Sequence, residues 1–500
     1  MRNLLSEVES FGGTAAEDDD VERFFVETPA FASLAKGRRH LVVGRKGSGK
    51  TALYLAMINS AEREGSLSVG LTFKQYPWAA HLKYASTEVD STERFVSSWL
   101  FLTLVETFST LIESSGPRLN RDQRKAIDDV SKFLRQNYGT THLDFKRLFP
   151  AGGLRLDKVD VKPEILKNSL GGFSKTRTSE SLGATLAKIN DWLFKKLEVL
   201  GDSIPKVYVL FDELDLGFDP SKSEYSDRVI GLLVAMRIFV SRITRNKIPV
   251  HPIVFLRTDI FDLLHFGDKN KIVNAEMVEL AWHDQLNHTG ASLKHLIDWR
   301  IKEELGVENL DDAWDSAFDD QLTRGTQHKF QHMTFRTFLR PRDVIQFANL
   351  ALTAAQTRAS MEAESKDDLR ITNLDIKTAR VPYSTYFRRE LDDEIAAVEP
   401  SWQHYLEVLR TVGAAKFTRA NYERAFEIAH RKFDLKLSIE DSLSLLYQFS
   451  ILGFERAVTG AGFIYQFRYL DPSVPFESDA SYFYVHRGLK ETLGLTETLT

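Results

Sequence analysis

The stretch LVVGRKGSGKTAL (41–53) runs from a short apolar segment through a glycine-rich turn carrying a lysine into the start of an apolar helix. Within it, Gly44, Gly47, Ser48, Gly49, Lys50 and Thr51 satisfy G-x-x-x-x-G-K-[ST] at every fixed position. Small residues let the backbone wrap a phosphate, whose charge is offset by main-chain N–H groups and by the N-terminal dipole of the following helix. In that arrangement Lys50 reaches the β and γ phosphates and the Thr51 hydroxyl serves Mg2+. Strand, turn and helix signals all agree with the context the motif requires.

A second element has to hold the metal from a neighbouring strand. VYVLFDELD (207–215) supplies it, an apolar run ending in Asp212 and Glu213. Asp212 is expected to bind Mg2+ through water, and Glu213 to orient and activate the attacking water. Asp215 reads as a structural or surface residue. ATP and Mg2+ are thus the expected ligands, and the expected activity is that of an ATPase.

Around these motifs stand four short apolar runs bounded by turn residues: HLVVG (40–44), LSVGLTF (67–73), KVYVLFD (206–212) and HPIVFLR (251–257). Continuous apolar runs suit strands buried on both faces of a parallel sheet. Helical patterns such as DRVIGLLVAMRIFVSRITR (227–245) lie between them, so the fold class expected is α/β. The interval 75–205 is far longer than one crossover needs and reads as a mainly helical insertion, with a helix over 92–113 and glycine-punctuated stretches at 149–164 and 170–180. From 401 onward, helices are followed by FIYQFRY (463–469) and YFYVHRGLKETL (482–493), a pattern of winged-helix type. The expected organisation is a flexible lead-in (1–20), an ATPase core (21–280) containing the insertion, a helical lid (281–380) and a winged-helix-like module (381–500).

Composition narrows the partners. Across 500 residues, Lys and Arg number 65 against 70 Asp and Glu, a net charge of -5, so no overall basic field draws the chain to nucleic acid or membrane. The absence of cysteine removes thiol catalysis and thiolate zinc sites and fits a reducing cytoplasm. No secretory signal or 18-residue apolar span is expected, and the localisation expected is cytoplasmic. The C-terminal module, over 401–495, balances 11 Lys and Arg against 11 Asp and Glu. Protein docking therefore outranks DNA binding there, because phosphate contacts dominate DNA affinity. His328 and His332 in HKFQH lack the glutamate and third ligand of a zinc site and read as surface histidines.

With its glycine loop and D-E strand the chain resembles initiator-type AAA+ ATPases and their STAND relatives, most closely bacterial P-loop ATPases of about this length found near anti-phage defence genes. The resemblance spans about 21–355, interrupted by the insertion. It implies a P-loop NTPase core with helical lid and places Arg257 and Thr258, in VFLRTDIFDLL (254–264), beside the γ phosphate where the family usually has Asn. It sets Arg300 at the end of VELAWHDQLNHTGASLKHLIDWRI (278–301), and Arg342, with Arg340 second, as the lid arginine that reaches the nucleotide in cis. Where the family carries an arginine finger, FGDKNKIV (266–273) offers only Lys269 and Lys271, and lysine cannot fork across two oxygens. The resemblance implies an ATP-driven switch controlling self-assembly, as a homo-oligomer, or an effector protein. Two alternatives stay open: an initiator- or loader-like ATPase gripping DNA through the winged-helix module, and a nucleotide-bound scaffold without turnover.

Overall fold

The computed structural model describes residues 4–73, 95–114, 119–141, 179–215, 223–323, 325–362, 368–396, 398–458 and 462–498. The glycine-punctuated stretches expected at 149–164 and over most of 170–180 lie outside the described residues. The chain forms two compact units, one of Glu27–Leu280, the other of Met1–Val26 with Ala281–Thr500.

In the first unit, five strands form one parallel sheet: β1 (Leu41–Gly44), β2 (Leu67–Thr72), β3 (Val207–Asp212), β4 (Val250–Arg257) and β5 (Met277–Glu279), in the order β2-β3-β4-β1-β5. Leaving β1 through α1 (Lys50–Arg63), the chain crosses to the far edge at β2 and returns strand by strand until β4 lies against β1. Period-2 alternation separates the two faces. Leu41, Val43, Val207, Val209, Phe211, Val250, Val254 and Leu256 join the core built with α2 (Val96–Glu113), α3 (Arg121–Tyr138), α4 (Ser179–Leu200) and α5 (Ser223–Arg245). Phe255 points the other way, its ring meeting that of Tyr54 from α1 edge-on at 5.9 Å.

The expected insertion needs correcting in kind. Its helix α2 is part of the sheet's own covering layer, with Trp99 against Phe73 (5.7 Å) and Phe211 (6.3 Å). A helix with apolar residues all round has to be covered on every side, and α2 has sheet on one side and α4 and α5 on others.

In the second unit run α6 (Leu293–Leu305), α7 (Pro341–Glu362), α8 (Asn373–Ile395), α9 (Trp402–Val412), α10 (Arg419–Phe433) and α11 (Ile439–Gln448). Its mixed sheet has the order β10-β6-β9-β7-β8, with β6 (Ala414–Phe417), β7 (Leu452–Val458), β8 (Gly462–Gln466), β9 (Phe483–Val485) and β10 (Thr496–Thr498). Three expectations are corrected here. The boundary at 380/381 falls inside the continuous helix α8, and buried residues from Leu5 to Leu495 share one core, so lid and C-terminal module are not separately packed. LGFERAV, just ahead of FIYQFRY, is a strand as well, β7, and pairs with β8.

The lead-in is also folded rather than flexible. Leu5, Val8 and Phe11 are buried in that core. Gln356 Nε2 donates to the Leu5 and Val8 carbonyls (3.1 and 2.8 Å), and Asn349 exchanges hydrogen bonds with Phe11 N (2.8 Å) and Gly12 O (3.0 Å). The buried guanidinium of Arg300 donates to Phe11 O (3.0 Å) and pairs with the buried carboxylate of Asp19. Removing one member of a buried pair strands the other charge, so Asp19→Ala is expected to destabilise the chain by about 3 kcal/mol, and Asp19→Ala with Arg300→Met by less, as read by urea denaturation.

A second prediction concerns acid stability. His251 of β4 packs on the Tyr208 ring (5.6 Å) and fills the space over Gly37, where a Cβ would lie 2.4 Å from its Cε1. Burial first, then Lys206, lowers its pKa from 6.5 to about 4. The unfolded chain thus takes up the proton first, and stability present above about pH 6.5 is lost as pH falls toward 4, by up to about 3 kcal/mol. His251→Phe is expected to flatten that acid limb in urea midpoints measured from pH 7 to pH 4.

Candidate functional site

The site lies at the C-terminal ends of β1, β3 and β4, where open parallel sheets bind ligands. Parallel pairing aligns those ends: Gly44 is the register partner of Arg257, and Thr72 that of Asp212. Residues far apart in sequence are thereby delivered to one edge.

The loop between β1 and α1 shows why its residues are small. A Cβ on Gly44 would stand 2.5 Å from Ser48 Oγ and 3.2 Å from Leu280 Cβ. Gly47 and Gly49 take positive φ (77° and 95°), which costs an L residue about 1–2 kcal/mol. Gly49 caps α1 without a side chain, leaving no oxygen of its own over the helix's first N–H groups. Ser48 is buried. Lys50 Nζ donates to the carbonyls of Gly44 (2.9 Å) and Arg45 (3.0 Å). Burial lowers its pKa to about 8, against the opposing pull of Asp215 and Asp212.

Asp212, at the end of β3, is buried, and burial raises its pKa to about 6 even though the Glu213 N–H, Lys50 and the Thr51 hydroxyl hold the charged form. Its Oδ2 has no hydrogen-bond partner among the described residues. That orphaned oxygen, beside a threonine hydroxyl and an ammonium, is chemistry that would suit a hydrated divalent cation. No group of three or more His, Asp or Glu among the described residues could hold a metal ion alone. One carboxylate, one hydroxyl and substrate oxygens is the donor set that suits Mg2+. Glu213 sits at φ 60°, a left-handed conformation uncommon for a residue of its kind.

Of the expected residues, the structure brings together Gly44, Gly47, Ser48, Gly49, Lys50, Thr51, Asp212, Glu213 and Arg257. Thr258 is the first residue of the short helix Thr258–Leu263, with Arg257 at its cap. Arg257 is held by Asp259 (3.0 and 2.6 Å) and Asp215 (3.2 Å). Sequence reasoning missed both of these carboxylates as parts of the site; for Asp215 the signal was its place in the same D-E-L-D run.

The remaining candidates have other partners. Lys269 Nζ donates to the carbonyls of Phe261 (2.7 Å), Asp262 (3.2 Å) and Leu264 (2.8 Å), finishing the helix Thr258–Leu263, and Lys271 pairs with Asp268 at 2.7 Å. In the second unit, Arg340 is buried and forks onto Asp343 (2.8 and 3.0 Å) with Glu394 at 2.7 Å. Arg342 reaches Thr14 O (3.1 Å) and Glu390 (3.2 Å). His332, read as a surface histidine, is buried, its ring bonded to Gln327 (3.1 Å) and Arg380 (2.6 Å). Both of its nitrogens are engaged.

Residues 291–392, within the second unit, match a family described as the FunZ-associated C-terminal helical domain. No curated protein matches the chain. Among solved structures, one titled Structure of Drosophila ORC bound to DNA aligns over 94% of this chain and 89% of that chain at 10% identity, with a TM-score of 0.30. A likeness so slight bears on neither fold nor function. No helix among the described residues is long and apolar enough to cross a membrane.

The strain at Glu213 is itself measurable. Asn tolerates the left-handed region, whereas Gln, like Glu, does not. Glu213→Asn is therefore expected to be more stable than Glu213→Gln by about 0.5–1 kcal/mol in urea denaturation, and equality would place no strain there.

Proposed function

We propose that this chain is a Mg-ATP-binding and hydrolysing switch of the P-loop class, with an AAA+/STAND-like core, whose nucleotide state governs its assembly with itself or with an effector protein. The observation that carries the reading is the convergence of Lys50, the Thr51 hydroxyl bonded to Asp212, and a strained Glu213 at one end of one sheet. The N–H groups of the loop and of α1 receive phosphate oxygens. Lys50 exchanges its two carbonyl acceptors for those oxygens, with Thr51 and Asp212 as the residues that would hold Mg2+. The ion supplies charge neutralisation on the phosphates. Glu213 orients a water and takes its proton, and Arg257, level with Gly44 and paired with Asp215 and Asp259, is the side chain that would turn toward the γ phosphate.

In this reading the second unit provides a helical lid, with Arg342 as its nucleotide-facing arginine, and a module of winged-helix type. The setting in bacterial anti-phage defence rests on the family resemblance. Ion pairing within the module weighs against DNA: Lys416 with Glu455, Arg419 with Glu423 and Glu440, Arg456 with Glu477 and Lys490 with Glu497 all spend their charge internally. The commitment of Lys269 to helix carbonyls favours slow turnover, and a scaffold without turnover is its limit.

Steady-state ATP hydrolysis of the wild type beside Lys50→Ala and Glu213→Gln, with and without duplex DNA, tests the proposal, with light scattering in ATP reporting assembly. Glu213→Gln is expected to lower kcat by at least about a hundredfold with ATP still bound, Lys50→Ala to lose binding, and DNA to change neither. Wild-type turnover no faster than that of Glu213→Gln would sink the hydrolytic assignment and leave a structural nucleotide.

A further inference from the structure

β8 (Gly462–Gln466) is the outermost strand of the C-terminal sheet, paired among the described residues with β7 alone. An edge strand displays a row of main-chain N–H and C=O groups, and folded chains blunt such edges with charge, proline or a bulge. The sequence of β8, GFIYQ, contains no charge and no proline, and its register with β7 runs without a bulge. The opposite edge, β10, is three residues long and carries Glu497 at its centre. Three of its side chains are open, Phe463 being 71% exposed and Tyr465 55% on one face and Ile464 37% on the other, whereas Gln466 at its end is buried.

We propose that β8 pairs antiparallel with β8 of a second copy of this chain, joining the two C-terminal sheets into one. Geometry selects the register. In a strand with side-chain period 2, directly opposed residues share a face only if their positions differ by an even number. All five residues then overlap in a single register, centred on Ile464. Ile464 meets Ile464, Phe463 meets Tyr465 on either side, and no like charges oppose each other. Opposed aromatic pairs are among the favourable cross-strand combinations. The Tyr465 ring is already held edge-on at 4.4 Å by Tyr484, whose hydroxyl donates to Glu455 at 2.8 Å, so little side-chain freedom remains to be lost on pairing. An uncharged strand gives a partner chosen by opposite charge nothing to read, whereas its own copy satisfies its backbone and both aromatic positions together.

The test uses the full chain without nucleotide, so its outcome is separate from that of the ATP reading. Sedimentation velocity over a concentration series is expected to show a reversible dimer. Ile464→Lys and Ile464→Glu each place like charges opposite one another on the two-fold axis and are expected to weaken dimerisation at least about tenfold, and an equimolar mixture of the two variants to restore it. Because the chain has no cysteine, a single introduced thiol reports the register. Opposed Cα atoms lie about 4.5–5.5 Å apart, within disulfide reach. Ile464→Cys should therefore oxidise to a covalent dimer and Phe463→Cys should not. A chain monomeric at every concentration, a dimer indifferent to both charge variants, or equal crosslinking at 463 and 464 overturns the proposal, as does a strand of another protein crosslinking to Ile464→Cys in place of a second copy.

Discussion

An ammonium group drawn partly out of water must be answered by oxygen, and the half-buried Lys50 imposes that demand just past the end of the first strand. Two carbonyls of its own loop meet part of it, and the rest falls to Asp215, Asp212 and Asp259. Left uncorrected, three carboxylates would overbalance one lysine. Arg257 offsets part of that excess by holding Asp215 and Asp259, which leaves Asp212 as the carboxylate with an unspent oxygen. This arithmetic needs strand ends that are level with one another. A parallel sheet whose order interposes β4 between β1 and β3 brings them level, because every C-terminal end then lies on the same side of the sheet.

Convergence of Asp212 and Glu213 poses a further problem. Consecutive side chains in a strand point to opposite faces, so two neighbouring carboxylates cannot address one place while the chain stays extended. The left-handed turn at Glu213 ends the alternation immediately after Asp212. Tyr54 registers the result: burial first, then both Asp212 and Glu213, push its phenol up to about 12. Backbone strain is retained only where the surroundings over-determine it, and it concentrates where chemistry is done. Here it coincides with the residue read from sequence as the general base.

What the sequence disclosed and what it hid divide along sequence distance. The glycine loop, the D-E strand and the four apolar runs are local patterns, and the structure forms each where its pattern lies. By contrast, the Arg300–Asp19 pair joins residues 281 positions apart, and the anchoring of Leu5 and Val8 by Gln356 spans still more. An acidic lead-in such as GGTAAEDDD reads as solvated because its partner, a buried arginine, lies on a distant helix. β7 escaped notice for a different reason: LGFERAV carries two charges in succession, and only its pairing with β8 and β9 makes it a strand. Lys269 likewise reads as a free cation until the three carbonyls it caps are in view.

Partner strength also ranks the arginines proposed above for the lid. An arginine that is to meet a phosphate has to leave whatever holds it. For Arg340 that means abandoning a buried fork on Asp343 together with Glu394, and unpairing buried charges in this way costs about 3–5 kcal/mol. Arg342 is a quarter exposed and gives up one carbonyl and one carboxylate oxygen, exchanges of about 1 kcal/mol each in partial solvent. The same comparison removes Arg300, whose buried pairing with Asp19 secures the N-terminal segment. Of the three, Arg342 is therefore the one held least tightly, and its release would loosen the segment at Thr14.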